Sequence, residues 1–158
     1  MNEDAHPEKS DDRIHAGGRI VVGVDGSSAS IAALRRGVTI AESLGCSLVG
    51  VTVWEFPPSW PGYVMGGWSP EADAHAIAAE AAAEVFGGAP PSWYSSVVRS
   101  GPPAPELVAE STGAEMLIVG SRGRGGFTGL LLGSVSRACA ERAACPVLVI
   151  HDAEEPGR

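Results

Sequence analysis

Apolar residues along this chain follow two alternating rhythms. Short, near-continuous runs mark strands covered on both faces: Ile20-Val21-Val22 with Val24, Leu48-Val49 with Val51 and Val53, the run 116–119, and Val147-Leu148-Val149-Ile150. Between them, apolar residues recur every three or four positions: Ile31, Leu34, Val38, Ala41; Ile77, Ala81, Val85; Val135, Ala138, Cys139. This pattern predicts strands over 19–25, 47–54, 93–99, 116–120 and 146–150. It predicts helices from Ser28 or Ser30, either of which is a cap, to Gly45, and from Ser69-Pro70-Glu71 to about Phe86. A short helix follows over 105–111, and another after Ser134. Strand–helix alternation of this kind means a single α/β domain with an open parallel five-stranded sheet and helices on both faces.

The ends of the chain lack this periodicity. Residues 1–18 are rich in Asp, Glu, His and Ser and are expected to form a disordered acidic tail. Residues 152–158 form a polar tail, which leaves 19–151 as the folded domain. The segment 55–69 is dense in Pro, Gly and aromatics, among them Phe56, Trp60, Tyr63 and Trp68. Two readings stay open for it: a lid that packs its aromatics on the domain, or a loop that covers a ligand or docks a partner.

The chemistry concentrates where the fourth strand ends. The run 116–119 stops at Gly120, Gly123 follows, and after nine residues come Gly133 and Ser134, where a helical pattern begins. Glycines let backbone approach a ligand closely, and the N–H groups of such a loop and of a helix start form an anion-binding concavity. Phosphate is the ligand this arrangement suits. A Walker A loop is excluded because the one lysine is Lys9, in the tail. A dinucleotide fingerprint fails at Thr128, and a kinase loop lacks its lysine and H-R-D partners. What remains is G-x2-G-x9-G-S.

With this spacing and its closing Cys-Pro-Val-Leu-Val-Ile segment, the chain resembles the universal stress protein family over about residues 19–150. The resemblance implies a Rossmann-like sheet, similar to that of the adenine nucleotide alpha hydrolases, with strand order 3-2-1-4-5. That order makes strands one and four neighbours, so that their loops face one crevice. It implies ATP as ligand, with AMP or ADP as alternatives, and Mg²⁺ as an accompanying ion. The nucleotide-binding residues are then Val24, Asp25, Val53, Gly120, Gly123, Gly133, Ser134, Val135 and Ser136. From the residues themselves, the N–H groups around Gly123, Gly133, Ser134 and Val135 cradle phosphates, and the Ser134 and Ser136 hydroxyls add hydrogen bonds. The resemblance places the Val53 backbone at the adenine edge, with Val24 nearby. Asp25 either contacts ribose hydroxyls or Mg²⁺, or simply forms the turn or caps the helix. Arg122 and Arg124 either pair with phosphates or stay solvated. The resemblance further supports a homodimer through strand 146–150, an apolar edge that its own copy would cover.

Charge and composition narrow the alternatives. A net charge of −8 disfavours nucleic acid and anionic membrane surfaces as partners. No apolar stretch is long enough to span a bilayer, and the amino end is no signal peptide, so a cytoplasmic location is expected. Cys46, Cys139 and Cys145 make no metal or disulfide pattern and read as small buried hydrophobes, and His75 lacks a second ligand at metal spacing. No catalytic base is readable near the loop. The expected function is therefore adenine-nucleotide binding in stress response or signalling, with at most slow ATP hydrolysis and a downstream partner that the residues do not name. The alternative is a nucleotide-independent protein-interaction module of the same fold.

Overall fold

The computed structural model describes residues 17–57, 67–124 and 131–152. The residues 1–16 and 153–158 of the expected tails, and Trp60 and Tyr63 of the segment 55–69, lie outside the described residues. The element order is β1 (Arg19–Gly23), α1 (Ser28–Leu44), β2 (Ser47–Trp54), α2 (Pro70–Phe86), β3 (Tyr94–Ser100), α3 (Pro103–Glu110), β4 (Met116–Gly120), α4 (Ser134–Arg142) and β5 (Val147–Ile150). The five strands form one parallel sheet in the order β3-β2-β1-β4-β5. The strand order implied by the resemblance is thus the order observed.

Alternation along the central strands divides the core in two. Ile20, Val22, Leu48 and Ile118 face α1 and α2, where Ala33, Leu34, Ala41 and Ala81 complete a buried layer. Val21, Val51, Leu117 and Val119 face the other side, against Leu107 of α3 and Cys139 of α4. Gly37 lets α1 lie close on the sheet: a Cβ there would fall 2.9 Å from a methyl of Val22 and 3.0 Å from one of Leu48. Glu110, at the end of α3, pairs with Arg19 of β1 at 3.2 Å and Arg99 of β3 at 2.7 Å, tying three elements together.

Several boundaries differ from those expected. β1 stops at Gly23 rather than at residue 25, because Asp25 is drawn into a side-chain-bonded turn. β3 and β5 each begin one residue later than expected, and α3 starts at Pro103, two residues early, since proline is well tolerated in a first helical turn. The cap of α1 is Ser27, not Ser28 or Ser30: its side chain accepts the Ser30 N–H at 3.2 Å. Cys46 and Cys139 are buried, and burial pushes the Cys139 thiol up to about 11. Among the described residues no three His, Cys, Asp or Glu side chains converge as metal ligands, and no helix is long and apolar enough to cross a membrane.

Candidate functional site

Because β1 and β4 are neighbours, the turn after β1 and the loop after β4 emerge side by side at the carboxyl end of the sheet. This is where strand order reverses, the place where open α/β sheets take their ligands. Asp25 builds the first of these segments. Its Oδ1 accepts the Ser27 N–H at 2.9 Å and the Ser27 hydroxyl at 2.5 Å. Gly26 turns the chain at φ 79°, a conformation that favours glycine.

The same carboxylate holds the glycine loop. Asp25 Oδ2 accepts the Arg124 N–H at 3.2 Å, and a Cβ on Gly123 would sit 2.5 Å from that oxygen. In return the Arg124 guanidinium lies over Gly26, 2.8 Å from where a Cβ would be. Burial raises the pKa of Asp25, but the hydrogen bonds from Ser27, Arg124 and Ser30 prevail and hold the carboxyl below its ordinary value. The turn-forming reading of Asp25 is therefore realised, and one of its oxygens also latches the loop.

Around the loop's base, the glycines and serines divide the work. Gly120 brings β4 against the start of α1, since a Cβ there would lie 2.8 Å from that of Ala29. The Ser121 carbonyl accepts the Gly133 N–H at 2.7 Å, and the buried Ser136 hydroxyl lies 2.9 Å from it and 3.0 Å from the Gly133 carbonyl. These bonds correct two expected roles. The Gly133 N–H and the Ser136 hydroxyl are spent on closing the loop, because a buried polar group needs a partner within the protein. Gly133 caps α4 with φ −71°, ordinary backbone, and a Cβ there would meet nothing closer than 3.5 Å. A glycine cap offers no side chain to the first turn. The amides of Ser134 and Val135 thus stand at a helix start without a side-chain cap.

Two adjoining clefts occupy this end of the sheet. One, of about 90 Å³, is mainly apolar; Val24, Val51, Val53, Pro103, Leu107 and Val135 are among its walls, with Asp25 and Gly120 at its polar margin. The second, of about 240 Å³, is polar and lined by Ser27, Ser28, Ala29, Ser121, Arg122, Gly123 and Asp152. Ser27 and Arg122 belong to both. Together the clefts reach the lower end of the ~300–1,000 Å³ typical of small-molecule sites. Gly133, Ser134 and Ser136 line neither cleft.

Val53 contributes through its backbone. Pairing of β1 with β2 ends at Gly23↔Val51, followed by the Val24 N–H bond to the Val51 carbonyl at 2.8 Å. Peptide groups in a parallel strand alternate between neighbours, and the Trp54 carbonyl accepts the Gly101 N–H on the β3 side at 2.9 Å. Val53 therefore turns its N–H and carbonyl to the β1 side, beyond the last paired residue of β1. The structure thus brings Val24, Asp25, Val53, Gly120, Gly123 and Val135 around the two clefts. Sequence reasoning missed Pro103 and Leu107, although Leu107 is an apolar residue on a helix expected to pack on the sheet. It also missed Asp152, for which no local signal existed.

Comparison with known proteins gives a consistent result. Residues 18–151 match the model of the universal stress protein family. A universal stress protein of Mycolicibacterium smegmatis is 36% identical over 136 residues, covering 84% of this chain and 45% of that protein. Universal stress protein Rv2005c of Mycobacterium tuberculosis is 39% identical over 140 residues, covering 84% and 47%. The chain spans about half the length of the curated relatives it matches. Among solved structures, a universal stress protein in complex with cAMP is 31% identical, with a TM-score of 0.63, over 86% of this chain and 98% of that one. On the family match and these identities, the chain belongs to the universal stress protein family.

Proposed function

We propose that this chain binds an adenine nucleotide at this end of the sheet, with the base and ribose in the apolar cleft and the phosphates beyond it, between Gly123 and the first-turn amides of α4. The observation that carries the reading is the convergence of the Asp25 turn, the unpaired edge of Val53 and the glycine loop at one switch point of the sheet. Val53 supplies a donor and an acceptor at an apolar niche, the pattern that a purine edge requires. The Asp25 oxygens already accept hydrogen bonds from Ser27 and Arg124. A ribose hydroxyl adds one more bond at modest cost, so it suits Asp25 better than a hydrated Mg²⁺, which would enter with the phosphates of ATP. Ser134 and Val135 offer first-turn amides, with Gly120, Gly123 and Gly133 keeping backbone close to the ligand. The cAMP complex of the 31% identical relative supports the choice of an adenine nucleotide.

Binding, rather than turnover, is the proposed output. Among the described residues lining the clefts there is neither lysine nor histidine, and Arg122 is the one cation. Phosphoryl transfer at enzyme rates relies on positioned cations and a base or water-orienting group. ATP, ADP and AMP titrated into the protein by calorimetry test the proposal. Saturable one-to-one binding by at least one of them is expected. No heat and no displacement of a fluorescent adenine nucleotide would leave the protein-interaction module as the better account.

A further inference from the structure

We propose that α3 is the selectivity wall of the nucleotide site: Pro103, Leu107 and Glu106 admit an uncharged base and turn away one that carries an anionic group. This rests on the adenine-nucleotide reading above. Pro103 and Leu107 both line the apolar cleft in which that reading places the base. Leu107 is buried, and a Cβ on Gly23 would lie 3.1 Å from one of its methyls. The glycine in β1 thus leaves room for this side chain to seat on the sheet, and the wall is fixed from the core.

The first turn of α3 lacks the donors that make a helix start an anion site. Pro102, Pro103 and Pro105 carry no N–H, so that of residues 102–105 Ala104 alone keeps one. Glu106 adds a carboxylate to the same turn, where it offsets the positive end of the helix dipole. That carboxylate lies over Gly101, 2.7 Å from where a Cβ would be, and the Gly101 N–H is bonded to the carbonyl of Trp54, the neighbour of Val53. A negative charge therefore stands beside the end of β2, against which the base edge is placed. The cation in the lining of the cleft, Arg122, belongs to the glycine loop after β4 and not to α3. The starts of α1 and α4 are arranged differently. At α1 the Ser27 side chain accepts the Ser30 N–H, and Asp152 accepts the Ser28 hydroxyl. At α4 Ser134, Val135 and Ser136 all carry N–H groups and meet no side-chain cap. An anionic group is thus served at α4 and opposed at α3.

The test titrates AMP, and AMP carrying either a propyl or a carboxyethyl group on its exocyclic amine, into wild type and Glu106→Gln by calorimetry at low and high salt. The two derivatives are similar in length and differ in charge. Wild type should bind the propyl derivative at least about tenfold more tightly than the carboxyethyl one, because an anion in an apolar, donor-poor niche is not compensated. Glu106→Gln should narrow that gap about threefold at low salt and less at high salt, since the carboxylate acts through space. Equal affinity of the two derivatives for wild type would overturn the inference, as would a gap that Glu106→Gln leaves unchanged at low salt. Rejection of both derivatives where AMP binds would make size the discriminant and would also overturn it. Failure of AMP, ADP and ATP alike to bind wild type would overturn the functional reading itself.

Discussion

Replacing Gly123 by Ala tests the latch between the Asp25 turn and the glycine loop. The added Cβ would lie 2.5 Å from Asp25 Oδ2, closer than real Cβ contacts allow, so the loop or the carboxylate must shift. The shift sacrifices the Arg124 N–H bond to that oxygen, 3.2 Å long. A hydrogen bond to a charged acceptor contributes ~1.5–3 kcal/mol, and the exposure of this one puts it at the lower end, about 1.5 kcal/mol. For a domain of this size that is a fall in Tm of about 3–6 °C. Asp25→Ala removes the clash together with this bond and the two from Ser27, at a cost of about 2–3 kcal/mol. The double variant should then be no less stable than Asp25→Ala alone, because the methyl at 123 has nothing left to strike. Chemical denaturation of the four proteins completes the cycle. Additivity of the two single effects within about 0.5 kcal/mol would refute the latch.

Other expectations follow from the same geometry. Gly133→Val should cost about 1 kcal/mol of stability, because φ is ordinary and a Cβ finds only van der Waals contact, while valine is the poorer cap. It should also weaken nucleotide binding by about a hundredfold, the loss of two amide bonds to phosphate at ~1.5 kcal/mol each; calorimetry of the folded variant with wild-type affinity would contradict this. Asp25 and Glu110 both have carboxyl pKa values held below the ordinary 3.8 and 4.5. At Glu110, too, burial raises the pKa, and the bonds and charges of Arg99 and Arg19 overcome it. A depressed folded pKa means stability that is present above the unfolded pKa and lost as pH falls through the folded one. Thermal melts should thus show a fall in Tm below pH 4.5 that is smaller in Glu110→Gln. β5 is proposed to pair with its copy in a homodimer. The carbonyls of Pro146 and Ile150 face β4, so the Val149 N–H faces outward, and Val149→Pro should give a folded monomer by light scattering where wild type gives a dimer.

The architecture was legible because buried strands and amphipathic helices write their period directly into the sequence. Ile20 to Val22 and the 116–119 run could belong only to strands covered on both faces, and Ile31, Leu34 and Ala41 fell on one buried helical stripe as expected. The glycine spacing marked close backbone approach beyond β4: Gly120 and Gly123 both sit where a Cβ would collide. What stayed hidden depends on distant partners. That Ser136 and Gly133 close the loop on Ser121, or that Asp25 accepts the Arg124 N–H across 99 positions, has no local pattern. Asp152 reaches Ser28 only because β5 brings the chain's end beside the start of α1. Even the cap of α1 was misjudged among three serines, since the choice of Ser27 follows from its bond to Asp25.

Native mass spectrometry of the purified protein with added adenine nucleotide tests nucleotide binding most directly. The expected spectrum shows one nucleotide per chain on wild type, and far less on Gly133→Val under the same conditions. Bare chain at every concentration of AMP, ADP and ATP up to the millimolar range would contradict the account.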